Sequence, residues 1–231
     1  VVPTPFSFTQ QNGSKIPGMS GTEVEVKGLF ATPVAAVMLP GADERNAELT
    51  EIILRRRAGQ PSIGASSIGG WHSTRDLVDW GGKGIEQVLS AGQSVATQLT
   101  ADRDGNPVKP DWKVEAWANV IGPGGSNACH YHPGSFWSGT YYVADGGCAD
   151  DASLGGEFEM FDPRGPSPMM HAPLLKFAGE DGRSAGSAQT IRPRAGLLFL
   201  FPSFLLHAVR PYSGNSLRIS IAFNLGLYPG S

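Results

Sequence analysis

From Trp112 onward the apolar residues recur at the strand period, in short segments punctuated by Gly, Pro, Ser and Asp clusters. Candidate strands are Trp112–Ile121, Ala128–His132, Gly139–Val143, Gly156–Phe161, Gly196–Phe201, Leu206–Val209 and Leu217–Asn224. Each is too short to stand alone and must bury one face against another layer. The 31 glycines and 18 prolines in 231 residues fit a fold built from many turns. This pattern predicts a mainly β chain, a sandwich or jelly roll.

The segment before Trp112 differs. Residues 1–21 are polar and rich in Pro, Gly and Ser, and are expected to form a flexible arm. Residues 22–111 supply support: Val24–Leu39 reads as extended, and Asp43–Arg57 as a helix with Asp43 as its cap, an apolar stripe at Leu49, Ile52 and Ile53, and a basic end at Arg55–Arg57. A second helix is expected over Ile85–Thr100, and Gly69-Gly70-Trp71-His72-Ser73 as a turn leading to a short helical turn from Thr74. Two helices before seven strands predict N-terminal helices packed on one sheet. Residues 112–227 form the expected core, interrupted by a Pro/Gly-rich insertion at 163–190, within a single domain over 1–231.

Composition excludes several function classes. A net charge of −3, with no basic cluster beyond Arg55–Arg57, argues against a nucleic-acid partner. The longest apolar runs, such as Leu197–Phe201, are far shorter than the ~20 residues that span a bilayer. Residues 1–14 do not read as a secretory signal, and two cysteines make no disulfide framework, so a cytoplasmic protein with free thiols is expected. Cys129 is expected to be a buried thiol. The oligomeric state is open, a homodimer included.

The chemistry concentrates in histidines. His130-Tyr131-His132 places two imidazoles two residues apart, which in a strand directs both to one face. By itself such a pair is weak evidence. His207 ends the apolar segment Phe201-Pro202-Ser203-Phe204-Leu205-Leu206, and the turn cluster Pro211–Ser216 predicts a hairpin of Leu206–Val209 with Leu217–Ile221. In that hairpin Arg218 and Ser220 share the face of His207, while Leu217, Ile219, Ile221 and Phe223 turn toward the helices. An inward arginine among apolar residues is costly unless it meets an anion. His72 and His171 are read as structural and exposed, respectively. Gly122–Ser126 is a turn with no helix after it, so it is not a phosphate loop.

His130-x-His132, Ser138-Gly139-Thr140-Tyr141-Tyr142-Val143, Gly155-Gly156-Glu157-Phe158, Pro193-x-x-Gly196, His207 and Arg218-x-Ser220 occur in the order of a known superfamily. Over Leu29–Asn224 the chain resembles the Fe(II)/2-oxoglutarate-dependent oxygenases of the prolyl-hydroxylase-like branch, and within it a bacterial and phage family of 2OG-Fe(II) oxygenases. The phrases Trp71-His72-Ser73, Phe161-Asp162-Pro163-Arg164 and Phe201–His207 carry the closer likeness. The resemblance implies a double-stranded β-helix that binds Fe(II) and 2-oxoglutarate and hydroxylates a small-molecule or protein substrate, which the sequence does not identify. It implies His130 and His207 as metal ligands, and Arg218, Ser220, Tyr142 and Asn119 as the co-substrate's binding residues. The superfamily carries Asp or Glu where this chain has His132. Three alternatives follow: His132 is the third ligand, a carboxylate such as Asp162 or Glu157 replaces it, or the site holds zinc or nothing. A cupin-like module that binds metal without redox turnover is the main rival. The cupin pattern, however, wants a Glu where Ser135 and Phe136 stand, and it leaves Arg218 idle. A jelly roll with a purely structural role is the third.

Overall fold

The computed structural model describes residues 14–17, 23–26, 31–165, 175, 177–178, 184–185 and 187–227. They belong to two units. In the first, spanning Val1–Thr32 and Arg164–Ser187, Ser14–Pro17 pairs antiparallel with Glu23–Val26, and Phe177–Ala178 with Ser184–Ala185. The expected arm and His171 otherwise lie outside the described residues.

The second unit, Pro33–Pro163 with Ala188–Ser231, contains all the residues discussed below. Its elements are β1 (Ala35–Met38), α1 (Ala42–Gly59), β2 (Ser67–Ile68), β3 (Trp71–His72), α2 (Leu77–Trp80), α3 (Gly82–Gln98), β4 (Lys113–Ile121), β5 (Ser126–His130), β6 (Trp137–Asp145), β7 (Phe158–Phe161), β8 (Ala188–Ile191), β9 (Leu197–Pro202), β10 (His207–Val209) and β11 (Arg218–Gly226). Two antiparallel sheets result: a major one ordered β1-β9-β6-β11-β4-β3 and a minor one ordered β8-β7-β10-β5-β2. This is the expected mainly β jelly roll.

Strand β11 shows why the sheets face each other. Its sequence alternates Arg218, Ser220, Ala222 and Asn224 with Ile219, Ile221, Phe223 and Leu225. The apolar set joins the large core formed with Leu49 and Ile53 of α1 and Ile85, Val88 and Leu89 of α3. Burying each such side chain stabilises the fold by about 1.5–3 kcal/mol. The helices therefore pack on the outer face of the major sheet, as predicted, and its polar row faces the minor sheet. A bulge between Ile219 and Ser220 leaves Val143 without a partner, and Val143 and Ala144 both pack toward the apolar core, so β6 loses its alternation there while β11 keeps its own.

Several local expectations are corrected. Helix α1 starts after Gly41, a left-handed residue with no side-chain cap, so Asp43 lies in the first turn and favours the helix through its dipole. Of the extended stretch expected over Val24–Leu39, the described residues are strand at 24–26 and at Ala35–Met38 but not at 31–34, and β1 is a largely exposed edge strand. Trp71-His72 is a strand paired with β4. The hairpin of Leu206–Val209 with Leu217–Ile221 does not form: β10 pairs with β5 and β7, whereas β11 pairs with β4 and β6 in the other sheet. The turn cluster at Pro211–Ser216 crosses between the sheets instead of reversing the chain within one. Among the described residues no helix is long and apolar enough to cross a membrane.

Candidate metal and co-substrate site

Three imidazoles meet on the minor sheet. His130 ends β5 and His207 begins β10, directly opposite it in the ladder. His132 lies beyond the strand, because Pro133 and the left-handed Gly134 turn the chain there. The strand-face argument for His130 and His132 therefore fails, although the rings still meet. His132 is held instead by its backbone N–H, which donates to Ser203 O at 3.0 Å, tying this loop to the one that precedes His207. The ring centroids lie 5.0 Å (His130–His132), 4.4 Å (His130–His207) and 5.1 Å (His132–His207) apart. One ligand nitrogen from each lies within 4.8 Å of the others, close enough to share an ion. No carboxylate belongs to this group among the described residues.

Backbone carbonyls set the tautomers. His130 Nδ1 lies 2.7 Å from Ala128 O, and His207 Nδ1 lies 2.7 Å from Leu205 O. A carbonyl only accepts, so each Nδ1 carries the proton and each Nε2 presents a lone pair. Phe158 stacks on His207 at 5.0 Å, Phe201 meets it edge-on at 4.8 Å, and Trp117 lies 5.5 Å from His132. This apolar wall was not anticipated, although Trp117 sits two residues before Asn119 and so shares its face.

Burial pushes the imidazole pKa values down, to about 3 for His132 and about 4 for His207, with neighbouring imidazoles adding to the shift. His130 and His72 shift the same way, also through burial. The unfolded chain, with values near 6.5, thus binds more protons than the folded one as pH falls below that value. Stability of the metal-free protein is expected to be fully present above pH ~6.5 and to decline toward the folded-state values, with about 1–2 kcal/mol lost from His207 alone between pH 7 and 5. Urea midpoints at those two pH values check this; equal midpoints would contradict it.

The facing strands of the major sheet carry the other polar groups. Asn119 on β4, Tyr142 on β6 and Ser220 on β11 are cross-strand neighbours. Arg218 is 1% exposed, and its Cζ lies 5.1 Å from the centre of the Tyr142 ring. Asn119 Oδ1, Tyr142 Oη and Arg218 Nε and Nη1 are buried without a hydrogen-bond partner, four of the six such atoms among the described residues. Buried polar atoms are nearly always satisfied, by ordered water where not by protein, so this concentration singles out the wall formed by Asn119, Tyr142 and Arg218. The Tyr142 hydroxyl keeps its proton more firmly than usual because it is buried, an effect the nearby Arg218 only partly offsets. Asn119, Ser220 and Arg218 line the same cleft as the three imidazoles, about 450 Å³ between the sheets and out to the mouth.

Two residues depart from expectation. Cys129 is exposed, because its side of β5 is the outer face of the minor sheet, flanked by exposed Ala128; Cys148 is the buried thiol. His72 is buried at 2% exposure, stacks on Trp117 at 5.6 Å and bonds Ser73 O through Nδ1, so it is structural, as expected, but within a strand.

A double-stranded β-helix with three imidazoles on one sheet, facing an unpaired cation on the other, has the architecture of non-haem iron oxygenases that use an anionic co-substrate. Residues 115–224, the stretch that contains the three clustered imidazoles, Asn119, Tyr142, Arg218 and Ser220, match the family described as "Putative 2OG-Fe(II) oxygenase". No curated protein matches the sequence. Among solved structures it is similar to a prolyl-4-hydroxylase of Pseudomonas putida (18% identity, TM-score 0.57, covering 87% of this chain and 95% of that one). It is also similar to a prolyl hydroxylase of Trichoplax adhaerens (13%, 0.58, 86% and 86%). HygX of Streptomyces hygroscopicus, solved with nickel and 2-oxoglutarate, is a third (14%, 0.51, 84% and 83%). At these identities the likeness establishes the shared fold. The chain is a 2-oxoglutarate- and Fe(II)-dependent dioxygenase.

Proposed function

We propose that the enzyme hydroxylates its substrate with His130, His132 and His207 as the iron ligands and with Arg218, Ser220, Tyr142 and Asn119 receiving 2-oxoglutarate. The single observation that carries this is the pairing of three convergent imidazoles with a buried guanidinium whose Nε and Nη1 lack a partner. Neutral Nε2 lone pairs suit a divalent first-row metal. The orphaned Nε and Nη1 of Arg218 suit a carboxylate taken bidentately, with the Ser220 and Tyr142 hydroxyls as further donors.

When bound, Fe(II) and 2-oxoglutarate supply oxidation of a C–H bond by dioxygen, coupled to conversion of the co-substrate to succinate and carbon dioxide. The chain's own contribution is positional and electrostatic. The Ala128 and Leu205 carbonyls keep His130 and His207 in the ligating tautomer. Phe158, Phe201 and Trp117 exclude water from the imidazoles. Arg218 neutralises the distal carboxylate inside a low-dielectric cleft, where its charge counts for most.

The prolyl hydroxylase neighbours favour a protein or peptide substrate, while HygX, solved with hygromycin B, keeps a small molecule in view. Two free cysteines support a reducing compartment, the cytoplasm. We take residues 112–227 as the catalytic core. Purified protein given Fe(II), ascorbate and 2-oxoglutarate in air is expected to release succinate slowly even without substrate. Absence of any Fe(II)-dependent succinate would overturn the assignment.

A further inference from the structure

We propose that Tyr212 is the positioning residue for Arg218, its hydroxyl tying together the two chain segments that flank the guanidinium's stem. The inference rests on Arg218 as the carboxylate receptor. Because the head of Arg218 lacks partners at Nε and Nη1, polar contacts there do not fix its direction before the co-substrate arrives. Its direction comes from the Tyr142 ring beneath Cζ and from what lies beside the stem, where Tyr212 shares the space next to Gly146 and Gly156.

Tyr212 is fully buried against Ile121 and Cys148. Its Oη lies 2.6 Å from Gly146 O and 2.7 Å from Ser216 O, so one phenolic proton is shared between two carbonyls. Gly146 follows Asp145, the cross-strand partner of Arg218, and Ser216 lies two residues before Arg218. The hydroxyl therefore joins the exit of β6 to the entry of β11. Its own backbone is clamped: Tyr212 N donates to Gly125 O at 2.9 Å, and Tyr212 O accepts from Gly124 N at 2.6 Å.

Two glycines make the ring and the stem share one cradle. A Cβ on Gly146 would stand 2.4 Å from Tyr212 Oη and 3.3 Å from Arg218 Cβ. On Gly156 it would stand 3.3 Å from Tyr212 Cδ2, 3.3 Å from Cys148 Sγ and 3.4 Å from Arg218 Cδ. Both glycines are left-handed, with φ of 69° and 74°. Any shift of the phenol ring is thus transmitted to the arginine's methylenes, and small displacements of a binding group cost affinity steeply.

The test compares Tyr212→Phe, Gly156→Ala and Arg218→Ala, each below its own unfolding midpoint. Anaerobic titrations with Fe(II), then with 2-oxoglutarate, give the two affinities, and succinate formation gives kcat and KM. Tyr212→Phe and Gly156→Ala are expected to bind 2-oxoglutarate about tenfold or more weakly, raising KM, with Fe(II) affinity and kcat unchanged. A general role in folding would lower the melting temperature without that split. Wild-type 2-oxoglutarate affinity in both variants, or equal losses of Fe(II) and 2-oxoglutarate binding, would overturn the proposal. If Arg218→Ala itself binds 2-oxoglutarate normally, the assignment of Arg218 fails. If only Arg218→Ala loses binding, the role of Tyr212 alone fails.

Discussion

Arg218→Met is expected to abolish 2-oxoglutarate turnover while leaving the metal-free protein as stable as before, or more stable. The two effects have opposite signs for one reason. Arg218 is buried with Nε and Nη1 unpaired, and an unpaired buried cation is a standing cost to the fold. A linear apolar side chain of similar length keeps the packing of the stem and removes that cost, so stabilisation of about 1–4 kcal/mol is expected. The same change deletes two charge-assisted hydrogen bonds to the co-substrate, each contributing about 1.5–3 kcal/mol, which predicts a fall in kcat/KM for 2-oxoglutarate of roughly 100-fold to 10,000-fold. Succinate assays and urea midpoints read the two effects separately. Retained turnover, or destabilisation comparable to a core cavity, would contradict this account.

The second large effect is on the metal. His207→Ala should eliminate stoichiometric Fe(II) binding and all succinate formation, because His207 is 3% exposed and its removal takes away the ring nearest His130 and leaves only two imidazoles. His132→Asp should behave differently. It substitutes an anionic oxygen ligand at the position where the superfamily carries one, and the Ser203 carbonyl still holds the backbone of this loop. Fe(II)-dependent turnover is expected to persist in His132→Asp and to vanish in His132→Ala. Metal content measured after gel filtration distinguishes them, and wild-type metal content in His132→Ala would show that position 132 is not a ligand.

Much of this arrangement was legible in the residues. The alternation of Arg218 to Leu225 announced a strand with a polar face and a greasy one, and the helices that cover the greasy face were readable from Leu49, Ile53, Val88 and Leu89. That His130, His132 and His207 meet was readable, but the geometry by which they meet was not. His207 and Arg218 were expected to converge as neighbours in a hairpin, but they converge from opposite sheets. Local turn chemistry at Pro211–Ser216 cannot distinguish a reversal from a crossing, because what decides is long-range pairing of β10 with β5 and β7. Similarly, a two-residue spacing does not reveal that Pro133 ends the strand before His132. Cys129 was misjudged because alternation tells which side of a strand a residue takes, not whether anything covers that side. The supporting role of Tyr212 was invisible, since the glycines around it are scattered from 146 to 214 and meet only in three dimensions.

The division of labour between the sheets has a consequence for which molecules can be used. The three clustered imidazoles come from the minor sheet or the loop that follows its strand, and Asn119, Tyr142, Arg218 and Ser220 all belong to the major one. Packed sheets stand about 10 Å apart. The clustered imidazoles and the Arg218 guanidinium reach into that gap from opposite walls, so a diacid held by both spans only what they leave between them, and the sheet spacing less the reach of these side chains acts as a ruler for its carbon chain.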